Sequence, residues 1–245
     1  MRWARIEIDG REIEGTLDGE TLRVRAGRMF GASHETGEIV PLAGAKFLPP
    51  VRPGKIVALW NNFHAAAAKN GWAIPAEPLY FLKTPNSLNS HGAPIPKPAA
   101  YDGRVVYEGE LGIVIGPEPN SIFGFTCVND VTALDLLNAD PAFPQWIRAK
   151  GFAGFCPIGP CVATGLDPAG LFVRTLVNGR ERQYYPVSDR IFPPAELVAR
   201  IARDLPLDPG DVIACGTSLG VLPMRPGTAV EVAIDGIGTL ANVYG

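Results

Sequence analysis

One stretch, Val105-Val106-Tyr107-Glu108-Gly109-Glu110-Leu111-Gly112-Ile113-Val114-Ile115, restricts what this chain can fold into more than any other. Side chains alternate between the two faces of a strand. Val105, Tyr107, Leu111, Ile113 and Ile115 then share one face, and Val106, Glu108, Glu110, Gly112 and Val114 the other. Both faces are mostly apolar, the pattern of a strand covered on both sides. Such a strand carries two carboxylates, two residues apart, into a largely dry place, where they repel each other and burial disfavours their ionised forms. A divalent cation resolves that conflict. The competing reading is a sheet-edge strand whose glutamates face water.

With 245 residues the chain can form one large domain, or a large domain with a small appendage. The net charge is −3 and the basic residues form no run, which favours neither nucleic acid nor an anionic membrane as a partner. The start, Met1-Arg2-Trp3-Ala4-Arg5-Ile6-Glu7, is charged and alternating, unlike a signal peptide. No apolar run approaches the roughly 18 residues of a membrane span, so a soluble, cytoplasmic protein is expected. Cys127, Cys156, Cys161 and Cys215 lack Cys-x-x-Cys spacing and sit among apolar, Gly or Pro neighbours, which predicts small buried thiols. The 28 glycines and 24 prolines predict many turns, short strands and few long helices.

Residues 1–50 read as a small β domain. Trp3–Ile8 and Glu12–Leu17 alternate, and Asp9-Gly10 and Asp18-Gly19 are turn signals. The proline-dense Pro49–Gly54 marks a boundary, and residues 51–245 form the main domain. Strands are expected at Lys55–Leu59, Pro78–Lys83 and Ile122–Val128, with a short helix from His64 through the alanines that follow. Thr132–Leu137 is helix-like, and Pro141–Phe152 is a polar helix or loop. Phe172–Val177 and Arg182–Pro186 flank the hairpin signal Asn178-Gly179, and Pro194–Asp204 is the best helix. Strands at Asp211–Cys215, Val230–Ile234 and Gly238–Val243 complete a β-rich α+β fold with a mixed sheet and few helices. His34 and His91 lie in turn-like segments and are expected to be exposed.

A third carboxylate at a strand end, Asp130, completes a set with Glu108 and Glu110. Oxygen-only ligands suit Mg²⁺, Mn²⁺ or Ca²⁺ rather than zinc or copper. The open positions of an octahedral shell would accept a 2-oxo acid as a chelate, and the cation would stabilise charge developing on the enol oxygen.

The pieces Phe81-Leu82-Lys83, Tyr107–Leu111, Val128–Ala133, Ala149-Lys150-Gly151-Phe152, Pro157-Ile158-Gly159-Pro160 and Gly216-Thr217-Ser218 run in one order along the chain. Together they resemble the fumarylacetoacetate hydrolase family, across about residues 55–245, and residues 1–50 resemble the small N-terminal domain of its bacterial members. The resemblance implies the family's β-rich roll of mixed sheets, preceded by the small β domain and assembled as a homodimer. It implies that Glu108, Glu110 and Asp130 bind Mg²⁺ or Mn²⁺, with Ca²⁺ possible in crystals. It implies that Lys150 contacts the substrate and its developing charge. Thr217 then holds a substrate carboxylate with the backbone of the Gly216–Gly220 turn, which includes Ser218, and His64 of the lid segment is the proton shuttle or water activator. Lys83 is a further candidate for lining the pocket, a strand-end surface role being the alternative.

The departures from the family pattern bear on the reaction. Hydrolytic and decarboxylating members carry a glutamate three residues after the lid histidine, and here that position is Ala67. Leu134 and Leu137 replace an arginine and a glutamine, for which Gln145 is a candidate substitute, and the 116–122 link is short. The expected function is isomerisation of an unsaturated 2-oxo or 2-hydroxy dioic acid, of the 2-hydroxyhepta-2,4-diene-1,7-dioate or 5-carboxymethyl-2-hydroxymuconate type, in aromatic-compound catabolism. Such a reaction needs only a cation-held dienolate and one proton shuttle. The alternatives are hydrolysis of an acylpyruvate carbon–carbon bond, decarboxylation of a 2-oxo acid such as oxaloacetate, and a catalytically silent binder of oxo acids.

Overall fold

Hydrogen bonding sorts the strands of this protein, a computed structural model that describes residues 1–245, into sheets of twelve, four and three strands. The largest sheet runs in the order Ser33–Pro41, Thr21–Gly27, Arg11–Asp18, Arg2–Ile8, Cys156–Ala163, Ile122–Asn129, Gly109–Ile115, Val212–Ala214, Ile56–Trp60, Leu79–Lys83. Lys46–Leu48 and Leu88–Ser90 pair to its side. The four-stranded sheet contains Phe172–Val177, Arg180–Pro186, Thr228–Ile234 and Gly238–Tyr244. Four helices complete the β-rich α+β fold: His64–Asn70, Leu134–Leu137, Trp146–Lys150 and Pro194–Asp204. None is long and apolar enough to cross a membrane.

The strand Gly109–Ile115 lies inside the sheet, antiparallel to Ile122–Asn129 on one side and to Val212–Ala214 on the other. All of its residues are buried. Leu111, Ile113 and Ile115 join the larger core with Val173, Val230 and Val232 of the four-stranded sheet and Leu197, Val198 and Ile201 of the last helix. Val114 joins a second core with Val128, Cys156, Ile158 and Val212. Both faces are covered, as the sequence pattern requires.

The stretch is not one continuous strand, however. Val105–Val106 pairs with Thr132–Ala133 and Pro223–Met224 in the three-stranded sheet, and the chain breaks from strand pairing at Tyr107-Glu108. Side chains take over there: Glu108 N–H donates to Asn129 Oδ1 at 3.0 Å, and Tyr107 OH donates to Gly220 O at 2.7 Å. An amide side chain in place of a ladder carbonyl is the local competition that ends regular pairing.

The N-terminal strands form an antiparallel meander, and the first of them continues the main sheet: Arg2 pairs with Ala163, and Trp3 with Val162. Pro194–Asp204 is helical over the whole expected range, with Leu197, Val198 and Ile201 turned to the core and Arg200 paired with Glu196 one turn earlier. Thr132–Leu137 differs from its expected helix: Thr132–Ala133 is extended, and only one turn, Leu134–Leu137, follows. In Pro141–Phe152 the helix is confined to Trp146–Lys150. All four cysteines are buried free thiols, and burial pushes Cys156 and Cys161 up to about 12. His34 is exposed as expected. His91 is not: it is half-buried, its Nδ1 accepts Ala241 N–H at 3.1 Å, and its ring meets Phe47 edge-on at 5.0 Å.

Candidate metal centre and active site

Strand register brings the carboxylates together. Gly109 pairs with Asn129, so Glu108 and Asp130 are the first residues beyond that pair, and Asp130 N–H donates to Glu108 O at 2.9 Å. Glu110 lies one residue inside. One carboxylate oxygen from each of Glu108, Glu110 and Asp130 lies within 4.8 Å of the other two. An octahedral cation with bonds of about 2.1 Å sets its ligand oxygens about 3–4 Å apart, so the three oxygens need only draw slightly together to share one ion.

Two lysines close the cluster from the protein side. Asp130 is fully buried; its Oδ1 accepts from Lys83 Nζ at 2.5 Å and its Oδ2 from Lys150 Nζ at 2.6 Å. Lys150 Nζ also donates to Glu108 Oε2 at 2.8 Å, and Thr132 Oγ1 donates to Glu108 Oε1 at 2.9 Å. Lys83 further donates to Lys150 O at 2.8 Å and Val131 O at 3.4 Å, so its ammonium is spent within the protein. Its place is to hold Asp130 and the end of the Trp146–Lys150 helix.

Three carboxylates face two ammonium groups, and Glu110 is the carboxylate that pairs with neither of them. Glu110 Oε2 accepts Gly216 N–H at 2.8 Å, while its buried Oε1 has no hydrogen-bond partner. Burial, with Asp130 and Glu108 nearby, pushes the Glu110 carboxyl well above its ordinary value. Glu108 is raised by burial and by Asp130, against the opposing pull of Lys150. Burial works against ionising Asp130, but Lys150 and Lys83 outweigh it and hold that carboxyl low. Burial likewise works against the Lys150 charge, and Asp130 and Glu108 outweigh it, so Lys150 is firmly an ammonium. An orphaned buried oxygen inside an all-oxygen donor set fits a hard divalent cation. Lys150 Nζ also lies 5.2 Å from the centre of the Phe81 ring, which stacks on Trp146 at 4.7 Å.

The segment after Val212–Ala214 forms the other half of the site. Gly216 has φ +87°, the left-handed region that favours glycine, while a Cβ there would meet Asn62 and Leu59 O only at an ordinary contact distance of 3.4 Å. Thr217 Oγ1 donates to Gly109 O at 3.0 Å and accepts from Gln183 Nε2 at 2.8 Å. Tyr185 OH donates to the same Gly109 O at 2.5 Å, and Gly109 N–H donates to Gln183 Oε1 at 3.0 Å. Ser218 is buried, and its carbonyl accepts from Gln183. Sequence reasoning missed Gln183 and Tyr185. The available signal was their register, since both point inward while Arg182 and Tyr184 are exposed, and a glutamine at an inward position needs partners.

Two candidates make no hydrogen bond to this cluster. Gln145 immediately precedes the Trp146–Lys150 helix and donates locally to Phe143 O at 3.1 Å. His64 is exposed at the first position of its helix. The turn before it is tied to the site segment, because Asn62 Nδ2 donates to Cys215 O at 2.8 Å and its Oδ1 accepts Phe192 N–H at 3.0 Å. Ala67, on the inner side of the helix, is fully buried.

Residues 55–244 match the fumarylacetoacetate (FAA) hydrolase C-terminal family, and residues 1–50 match the Rv2993c-like N-terminal family. Over the full chain the fold superposes on a 2-hydroxyhepta-2,4-diene-1,7-dioate isomerase from Mycobacterium marinum, at TM-score 0.89 and 36% identity, covering 98% of that structure. A 5-carboxymethyl-2-hydroxymuconate delta-isomerase from Mycobacterium smegmatis gives the same score and identity, again over the full chain and 99% of that structure. The oxaloacetate tautomerase YisK of Bacillus subtilis is 34% identical over 83% of this chain and 74% of its own length. A maleylpyruvate hydrolase from Sphingobium sp. SYK-6, solved with manganese(II) ion and pyruvate, matches at TM-score 0.80 and 26% identity over the whole of both chains.

Proposed function

The chain belongs to the fumarylacetoacetate hydrolase family, and from that premise we propose that it is a divalent-cation-dependent isomerase of a small 2-oxo or 2-hydroxy dicarboxylate. The reaction shifts a proton between the keto and enol forms, or along a dienol, and breaks no carbon–carbon bond. The observation that carries this reading is the trio itself: one carboxylate oxygen from each of Glu108, Glu110 and Asp130 lies within 4.8 Å of the other two, Glu110 Oε1 has no hydrogen-bond partner, and Lys150 pairs with Glu108 and Asp130. The similar isomerases and the tautomerase share one demand, stabilisation of an enolate, and this cluster is suited to meet it.

Glu108, Glu110 and Asp130 would hold Mg²⁺ or Mn²⁺, which when bound supplies a Lewis acid for the enolate oxygen. Lys150, paired with two of the three carboxylates, would offer a fixed positive charge to that oxygen. Its two carboxylate partners keep it protonated, so it stabilises charge rather than removing a proton. Thr217 and the N–H groups of the turn beyond Gly216, whose own N–H is taken by Glu110, would orient a substrate carboxylate. His64, exposed on a helix whose start is tied to the site, would carry the proton to and from solvent.

Acylpyruvate hydrolysis is the second reading, favoured by the manganese-containing hydrolase with this fold. Ala67 weighs against it. The position is fully buried and presents only a methyl group, so it holds no carboxylate to direct a water. Supporting a homodimer, Leu79 and Leu82 on the edge strand, with Ile74 and Ile147, are large apolar side chains left exposed.

The deciding experiment is a panel of oxaloacetate, a 2-hydroxymuconate-type dioic acid and acylpyruvates, run with Mn²⁺ and then with chelator. A cation-dependent change in the ultraviolet band without release of pyruvate or CO₂ is the expected result. Stoichiometric release of either product would replace the isomerase reading with hydrolysis or decarboxylation.

A further inference from the structure

The hydrogen bonds around Gly109 carry more information than their number. Gln183 and Tyr185, both buried, face the peptide groups that join Glu108 to Glu110. A backbone N–H can only donate, so the bond from Gly109 N–H fixes which end of the Gln183 side chain is oxygen. The amide nitrogen must then face Thr217 Oγ1 at 2.8 Å, with Leu219 O at 3.2 Å and Ser218 O at 3.4 Å behind it. Those two carbonyls are acceptors, which confirms the orientation. With an N–H aimed at its oxygen, the Thr217 hydroxyl must send its own proton to an acceptor, and it points at Gly109 O. That carbonyl already receives Tyr185 OH at 2.5 Å.

We propose that Gln183 is a positioning residue that sets the Thr217 hydroxyl as a donor, and that Tyr185 makes that donor releasable. The hydroxyl would swing from Gly109 O to a carboxylate oxygen of a bound ligand while Tyr185 keeps Gly109 O satisfied. This relay rests on the reading of Thr217 as a ligand contact. Leaving a buried carbonyl with no donor costs far more than leaving it with one of two. The arrangement therefore selects ligands that present an acceptor at this point and disfavours those that present a donor.

The test uses oxalate, the smallest dianion with the outline of an enolised 2-oxo acid, titrated calorimetrically into Mn²⁺-saturated protein. Mn²⁺ affinity is measured separately by paramagnetic resonance without oxalate. Thr217→Val, Gln183→Met and Tyr185→Phe are each expected to weaken oxalate by about threefold to tenfold while Mn²⁺ affinity stays within about twofold. In a Thr217→Val background the other two substitutions are expected to have no further effect, a non-additivity that general loosening of the strand would not produce. The relay is overturned if Gln183→Met or Tyr185→Phe weakens oxalate equally with and without Thr217, or weakens Mn²⁺ in parallel. If Gln183→Met does not fold, Tyr185→Phe decides, and unchanged oxalate affinity overturns the relay. If Thr217→Val alone leaves oxalate unaffected, it is the reading of Thr217 as a ligand contact that fails, and the relay falls with it.

Discussion

Glu110 and Asp130 are neighbours shifted in opposite directions, and the contrast gives a pH signature. The raised Glu110 carboxyl binds a proton more tightly folded than unfolded, so without a cation its contribution to stability is lost as pH rises past about 4.5 through the raised value. Asp130, held low, contributes stability above its ordinary range that disappears only in acid. Cation and proton compete for the Glu110 carboxylate, whose hold on the proton is raised, so Mn²⁺ affinity is expected to rise with pH. Melting curves with Mn²⁺ and with chelator, between about pH 5 and 8, are expected to diverge as pH rises; a constant gap would contradict the assignment. The carboxylates differ as experimental handles. Glu110 also holds Gly216 N–H, and removing Asp130 would strand two buried ammonium groups. Glu108→Gln is the clean substitution, expected to weaken Mn²⁺ by more than about tenfold with little change in melting temperature. Lys83→Met, which leaves buried Asp130 short of a partner, is expected instead to cost about 3–5 kcal/mol in denaturant unfolding. The acidic trio was legible because Glu-x-Glu in an apolar strand is an anomaly. The pair Lys83–Asp130 and the clamp by Gln183 were not, since each joins residues far apart in sequence.

At the level of elements, periodicity was most readable where one segment met one environment. Pro194–Asp204 has its proline at the start and a single apolar stripe, and it folds over the whole range read from it. Leu197→Ala, at a position with no exposure, is expected to cost about 2–5 kcal/mol, measured by denaturant unfolding. The 105–115 stretch has equally clear alternation yet breaks at Tyr107-Glu108, because the partners that interrupt it, Asn129 and Gly220, lie on other elements. Alternation reports faces and is silent about interruptions made from outside. Gly109 is a related case. Its φ lies outside the left-handed region, but an added Cβ would collide with Thr175 Oγ1 and crowd Gln183 and Val232. Gly109→Ala is therefore expected to displace both flanking glutamates and abolish Mn²⁺ binding, checked by paramagnetic resonance on protein whose circular dichroism is unchanged.

Across the whole molecule, the N-terminal strands and the main sheet are one hydrogen-bonded unit. The turn signals and alternation of residues 1–50 were visible locally, but their attachment to Cys156–Ala163 was not, since it depends on a strand more than a hundred residues away. Deleting residues 1–50 is expected to leave that strand with an open flank and to give aggregation by size-exclusion chromatography. A soluble monodisperse product would show the two parts to be separable. The pairing of Arg2 with Ala163 also sets a schedule. A ribosome working at about 5–20 residues per second must extend the nascent chain for some tens of seconds at the slower rate before the first strand can find its neighbour. The cage cannot be capped until still later, when Gly216 emerges to meet Glu110. The earliest hairpins therefore wait with one flank bare, and it is in that interval that a chaperone has something to protect.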